Sequence, residues 1–96
     1  MSNNTFVKLA KGLVCEWYND PERVRKTNTL MDEDDVYVVW LCKTLQNNKA
    51  LLSTDVPDGM YFEVTYNGDK HEAYFDAYQK VENRCVKEEE NDQSRD

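Results

Sequence analysis

Few side chains in this sequence combine the types and spacings that chemistry demands. The single histidine, His71, lies beside Glu72 just after a turn signal. A general base works only on a positioned nucleophile, and spacing identifies none for it, so His71 reads as an exposed strand residue. Cys15, Cys42, Cys85 and His71 would be enough ligands for zinc. Yet 26 and then 42 residues separate the cysteines, whereas structural zinc sites use closely spaced pairs. Asp32-Glu33-Asp34-Asp35 alternates carboxylates as a calcium loop does, but it lacks the mid-loop glycine and the closing glutamate. It reads as a solvated acidic loop. With no glycine-rich phosphate loop either, the expectation is a chain that is no enzyme and holds neither metal nor cofactor.

The aromatics are more suggestive. Tyr37, Trp40, Tyr61, Phe62, Tyr66, Tyr74, Phe75 and Tyr78 crowd into one stretch. Most of them belong to a core. Tyr61 and Tyr74 form a candidate exposed row, able to anchor a protein partner or to stack on bases as in sheet-based RNA binders. Base stacking is usually accompanied by clustered lysine and arginine, and here the bases are scattered. Protein contact is the favoured use, and direct nucleic-acid binding is disfavoured.

Ninety-six residues make one domain, which buries about 60–65% of the surface its unfolded chain exposes. The net charge of −7 is unevenly spread. Residues 1–31 carry three acids and five bases, and residues 36–87 nearly balance with seven acids and six bases. The acidity sits in Asp32 to Asp35 and in the terminal residues 88–96. Three cysteines cannot all pair within one chain, and no signal segment or membrane-length apolar run is visible, so a cytoplasmic protein with reduced thiols is expected. Each cysteine is expected to act as a small core hydrophobe.

Local patterns supply the elements. Phe6, Leu9, Ala10, Leu13, Val14 and Trp17 recur at helical spacing, which predicts a helix over 5–18 capped by Asn4 or Thr5. Asp20-Pro21-Glu22 starts a short second helix or turn. Residues 36–45 are apolar on both alternations, the mark of a central strand covered on both faces. Gln46-Asn47-Asn48-Lys49 reads as a turn, 50–54 as a second strand and 60–66 as a third with clean period-two alternation. Asn67-Gly68 is a strong hairpin signal, and a fourth strand over 70–75 follows. Asp76 and Gln79 sit at capping-box spacing, and Phe75, Tyr78, Val81 and Cys85 step by threes and fours, so a C-terminal helix is expected. A rival reading starts that helix at His71.

The fold class expected is therefore α+β: an N-terminal helix, a three- to four-stranded antiparallel meander and a C-terminal helix, with the helices packed together on one sheet face. Residues 1–87 form the domain, and 88–96 form an acidic tail expected to be disordered. An uncovered edge strand would invite a dimer.

One resemblance narrows the function. Val38-Val39-Trp40-Leu41-Cys42-Lys43-Thr44-Leu45-Gln46-Asn47-Asn48-Lys49-Ala50-Leu51-Leu52-Ser53-Thr54 is distinctive. With Asp58-Gly59-Met60-Tyr61, Thr65-Tyr66-Asn67-Gly68-Asp69-Lys70 and Asp76-Ala77-Tyr78-Gln79-Lys80-Val81-Glu82-Asn83, it resembles a small family of phage and prophage proteins of Gram-positive bacteria. That resemblance carries no catalytic residue. It implies an accessory protein that binds a host protein, foremost an anti-defence inhibitor of a nuclease such as a CRISPR effector. Asp32, Glu33, Asp34 and Asp35 would then oppose a basic nucleic-acid channel, with Tyr61 and Tyr74 as contact residues. The alternative is a nucleic-acid-binding accessory protein of phage replication or regulation, using the aromatic sheet face with Arg23, Arg25 and Lys26.

Overall fold

The structure, a computed structural model, describes residues 1–88. The first helix, α1 (Asn3–Tyr18), begins where the Ser2 hydroxyl accepts the Thr5 amide at 3.2 Å. Its buried stripe is Phe6, Ala10 and Val14, spaced at four residues so that all three fall on one face. Asn19 ends it and fastens the connection that follows. Its side-chain amide donates to the Met31 carbonyl at 2.9 Å and its oxygen accepts the Met31 amide at 2.6 Å. Between these two points lies α2 (Pro21–Thr27), capped by the Asp20 carboxylate on the Glu22 amide at 2.9 Å and closed by Asn28 in the left-handed region. A 3-10 turn, Glu33–Asp35, then leads into the sheet.

Strands β1 (Val36–Thr44), β2 (Asn47–Thr54), β3 (Met60–Asn67) and β4 (Glu72–Gln79) form one antiparallel meander in chain order. Val36, Ala50, Leu52, Phe62 and Val64 lie buried against Phe6, Ala10 and Val14 of α1. The helix spans β1, β2 and β3, and β4 extends past it with only Phe75 half-buried. Among the described residues no layer covers the other face of the sheet. Among the described residues no helix is long and apolar enough to cross a membrane.

The sheet is antiparallel as expected, but both helices precede it and the C-terminal helix does not form. Residues 72–79 instead pair with β3 over eight rungs, from Asn67 opposite Glu72 to Met60 opposite Gln79. The same residues alternate Ala73, Phe75, Ala77 with Tyr74, Asp76, Tyr78, a strand period that coexists with the helical steps. A helix that short is marginal by itself, while the 68–71 turn, with the Asp69 and Lys70 amides on Asn67 Oδ1, holds a partner strand alongside; Asn67, expected in the turn, instead ends β3. Expected packing of two helices together on the sheet gives way to α1 as the one covering layer among the described residues.

Three further expectations change. β1 is an edge strand open on one face, not a central one, and a bulge between Val38 and Trp40 accounts for its doubled apolar pattern. The first hairpin turns at Leu45-Gln46, with Leu45 left-handed, so Asn47 and Asn48 lie within β2 and Asn48 is buried beneath the start of α1, its amide 3.3 Å from Asn3 Oδ1. Two of the three cysteines are not core residues: Cys42 and Cys85 are exposed, while Cys15 is half-buried and packs against the core. Burial, then the carboxylates of Glu33, Asp32 and Asp35, push the Cys15 thiol up. The expected tail falls, from residue 89 onward, outside the described residues.

Gly12 sits in the interior of α1 with open space where a Cβ would be. Gly12→Ala should therefore stabilise the protein by about 0.5–1 kcal/mol, raising Tm by about 4–8 °C per kcal/mol. A scanning-calorimetry Tm that falls would show that a contact here needs the bare backbone.

Candidate functional site

Strand alternation sends every second side chain to the uncovered face, and those residues are disproportionately aromatic. Trp40, Leu51, Glu63 and Asp76 stand in register across all four strands. Cys42, Lys49, Thr65 and Tyr74 form the next row. Toward the other end, Tyr37 is opposite Ser53 and Tyr61 is opposite Tyr78. Tyr37, Trp40, Tyr74 and Tyr78 remain 44%, 41%, 55% and 53% exposed, far more than rings of that size retain in a closed core. Charged groups run across the face as well: Lys49 meets Glu63 at 3.4 Å, Asp76 stands opposite Glu63, the Tyr74 hydroxyl donates to Glu72 at 3.1 Å, and the Lys80 ammonium lies 5.7 Å from the Tyr61 ring centre. The face is thus a mixed aromatic and charged surface, a composition that suits protein contact.

Of the residues singled out in the sequence, Tyr61 and Tyr74 share this face but do not touch as neighbours. Tyr74 lies opposite Thr65, four positions along β3 from Tyr61, or about 13 Å at strand rise. The direct neighbour of Tyr61 is Tyr78, which the expected helix had hidden. Tyr37 and Trp40 were passed over because β1 was read as covered on both sides. Period-two alternation through 72–79 was the signal that could have found Tyr78.

Asp32, Glu33, Asp34 and Asp35 lie elsewhere. Their turn packs beside α1, on the helix side of the sheet. Asp32 Oδ1 accepts the Asp34 amide at 2.9 Å and Asp35 Oδ2 accepts the Asp32 amide at 2.9 Å, so two of the four carboxylates build the turn itself. Glu33 is half-buried and Asp34 exposed. The acidic run and the tyrosines are therefore two separate features. His71 is left-handed, at the end of the β3–β4 turn, with Nδ1 3.3 Å from the Tyr66 hydroxyl. Among the described residues no group of three or more His, Cys, Asp or Glu side chains could hold a metal.

An apolar cavity of about 270 Å³ opens between the end of α1, α2, the 28–31 connection and the β2–β3 loop. Several of its polar groups are already engaged. Arg23 stacks over Trp17 at 3.8 Å and donates to the Trp17 carbonyl at 2.8 Å, and the Tyr18 hydroxyl donates to Asp58 at 2.6 Å. Burial first, and then that hydrogen bond, push the Tyr18 phenol up to about 12. The neutral phenol is the form the fold favours. Its stabilising contribution should thus be complete below pH 10 and disappear as pH rises through about 12. A tyrosinate difference titration between the chain and Tyr18→Phe should assign to Tyr18 a step near pH 12. A Tyr18 step at pH 10 would contradict the contact.

Residues 7–88 match the DUF6275 family, described as a family of unknown function, and the chain belongs to it. No curated protein and no solved structure matches the chain.

Proposed function

We propose that this DUF6275 member works by binding protein through the uncovered face of its sheet, as an inhibitor of a host nuclease with a basic nucleic-acid channel, such as a CRISPR effector. One observation carries the reading: Tyr37, Trp40, Tyr61, Tyr74 and Tyr78 share a sheet face that no element among the described residues covers. Tyrosine and tryptophan bury large areas at little entropic cost and are the side chains that most often anchor interfaces. The resemblance to phage and prophage proteins directs the choice of target.

The acidic turn has a different role in this proposal. It lies off the aromatic face, so it acts at a distance, attracting a basic partner over the ~8–10 Å that ions leave unscreened. Neutralising Asp32, Glu33, Asp34 and Asp35 should accordingly slow association and flatten its salt dependence, leaving dissociation little changed.

The nucleic-acid alternative is less favoured because its cations sit away from the aromatic face: Arg23 stacks on Trp17, Arg25 pairs with Glu22 at 2.8 Å, and Lys26 shares α2 with them. A plasmid-interference assay against a panel of host nucleases tests the proposal. Expressing the chain should restore transformation against at least one of them. Protection against none, together with a salt-sensitive gel shift on nucleic acid, would overturn it.

A further inference from the structure

The two edges of the sheet are built differently. β1 carries a bulge between Val38 and Trp40 and a lysine at Lys43, the devices by which edges resist pairing with another chain. β4 has neither. Its sequence, Glu-Ala-Tyr-Phe-Asp-Ala-Tyr-Gln, contains no proline, lysine or bulge, and eight straight rungs tie it to β3. Among the described residues no strand pairs with its outer edge.

We propose that β4 is the seam of a symmetric dimer, in which two copies pair antiparallel edge to edge and merge their sheets. The occupant is argued from charge and register. Side chains that face each other across an antiparallel pair must come from the same sheet face. A two-fold axis near the middle of β4 can therefore fall on Tyr74, Phe75 or Asp76. On Asp76 it sets that carboxylate against its own copy, and on Tyr74 it sets Glu72 against Asp76 twice. Like charges directly opposite are destabilising. On Phe75 it sets Ala73 against Ala77, Tyr74 against Asp76 and Glu72 against Tyr78. That register has no like-charged pair, and it offers a phenol to every carboxylate. The strand is self-complementary about Phe75.

The helix side agrees. Leu13, Trp17 and Phe75, together with Glu16, Asp20 and Arg23, line an open groove of about 300 Å³ between α1 and β4, and Phe75 stacks on Phe62 with ring centres 5.6 Å apart. A two-fold axis at Phe75 brings both Phe75 rings together, covering apolar ring surface that a monomer leaves wet, and sets the two mixed grooves, each with two carboxylates and one guanidinium, on either side of the seam. On the opposite side it joins the two aromatic faces into one continuous surface. The dimer does not rest on the nuclease reading, since it concerns the chain alone.

Sedimentation equilibrium of the full chain tests it, with a mass of twice 11.3 kDa expected as concentration rises. Ala77→Lys places a charge at the seam on an exposed residue and should raise the dimer dissociation constant about 10-fold or more, with an unchanged circular-dichroism spectrum. Ala73→Cys with Ala77→Cys, in a Cys42→Ser and Cys85→Ser background, should yield a reducible covalent dimer, because only the Phe75-centred register sets 73 against 77. A monomer up to millimolar concentration would overturn the proposal. So would a dimer indifferent to Ala77→Lys, or a dimer that forms without the 73–77 crosslink.

Discussion

Phe62→Ala is expected to cost about 3–5 kcal/mol, the largest loss of any single truncation in this fold. Phe62 is fully buried at the middle of β3, paired to Leu52 on one side and Ala77 on the other. Three rings close over it: Trp17 at 5.1 Å and Tyr18 at 5.5 Å edge-on, and Phe75 stacked at 5.6 Å. It is thus the point where α1, the central strands and the edge strand meet. With one covering helix there is no second layer to collapse into the vacated space, which puts the site at the costly end of such truncations. A domain of this size holds only about 5–15 kcal/mol in total, and each kcal/mol is worth about 4–8 °C. Urea and thermal denaturation should show Tm lowered by about 15–30 °C, or no cooperative transition at all. Phe75→Ala should cost less, because that ring is only half-buried. A loss under about 1 kcal/mol at Phe62 would mean the core lies elsewhere.

The second large effect concerns binding rather than folding. Tyr61→Ala with Tyr78→Ala removes the one directly opposed tyrosine pair on the open face. Anchoring tyrosines cost about 2 kcal/mol or more each when truncated, so affinity for the proposed protein partner should fall more than about 100-fold, mostly through faster dissociation. The fold should barely respond, since an exposed cross-strand pair contributes about 0.2–1 kcal/mol. Those two signs together separate a contact surface from a structural one. If the double variant loses affinity only in proportion to a lowered Tm, the tyrosines serve the fold.

Sequence legibility followed the strength of local signals. α1, α2 and β3 could be read because their determinants are local: a four-residue apolar stripe, an Asp-Pro start and a strict alternation. β4 could not, because Phe75, Tyr78, Val81 and Cys85 satisfy a helix while Ala73, Phe75 and Ala77 satisfy a strand. Only pairing with β3, a tertiary effect, decides between them. The same error propagated to the site. Treating Tyr78 as helical and β1 as central removed three of the five rings from the surface, leaving Tyr61 and Tyr74 as an incomplete trace of it. The acidic run was legible as a feature but not in its place, since nothing local says that Asp32 and Asp35 spend their carboxylates on their own turn or that α1 lies beside them.

The central claim is that the uncovered sheet face is the surface that meets protein. Hydroxyl-radical footprinting, mapped residue by residue on the free chain and on its complex with a nuclease it is found to inhibit, tests this most directly. The account predicts that Tyr37, Tyr61 and Tyr78 lose reactivity in the complex, while modification sites on the outward side of α1 and on α2 keep theirs. Tyrosines as reactive in the complex as in the free chain, with protection moved to α1 and α2, would contradict it.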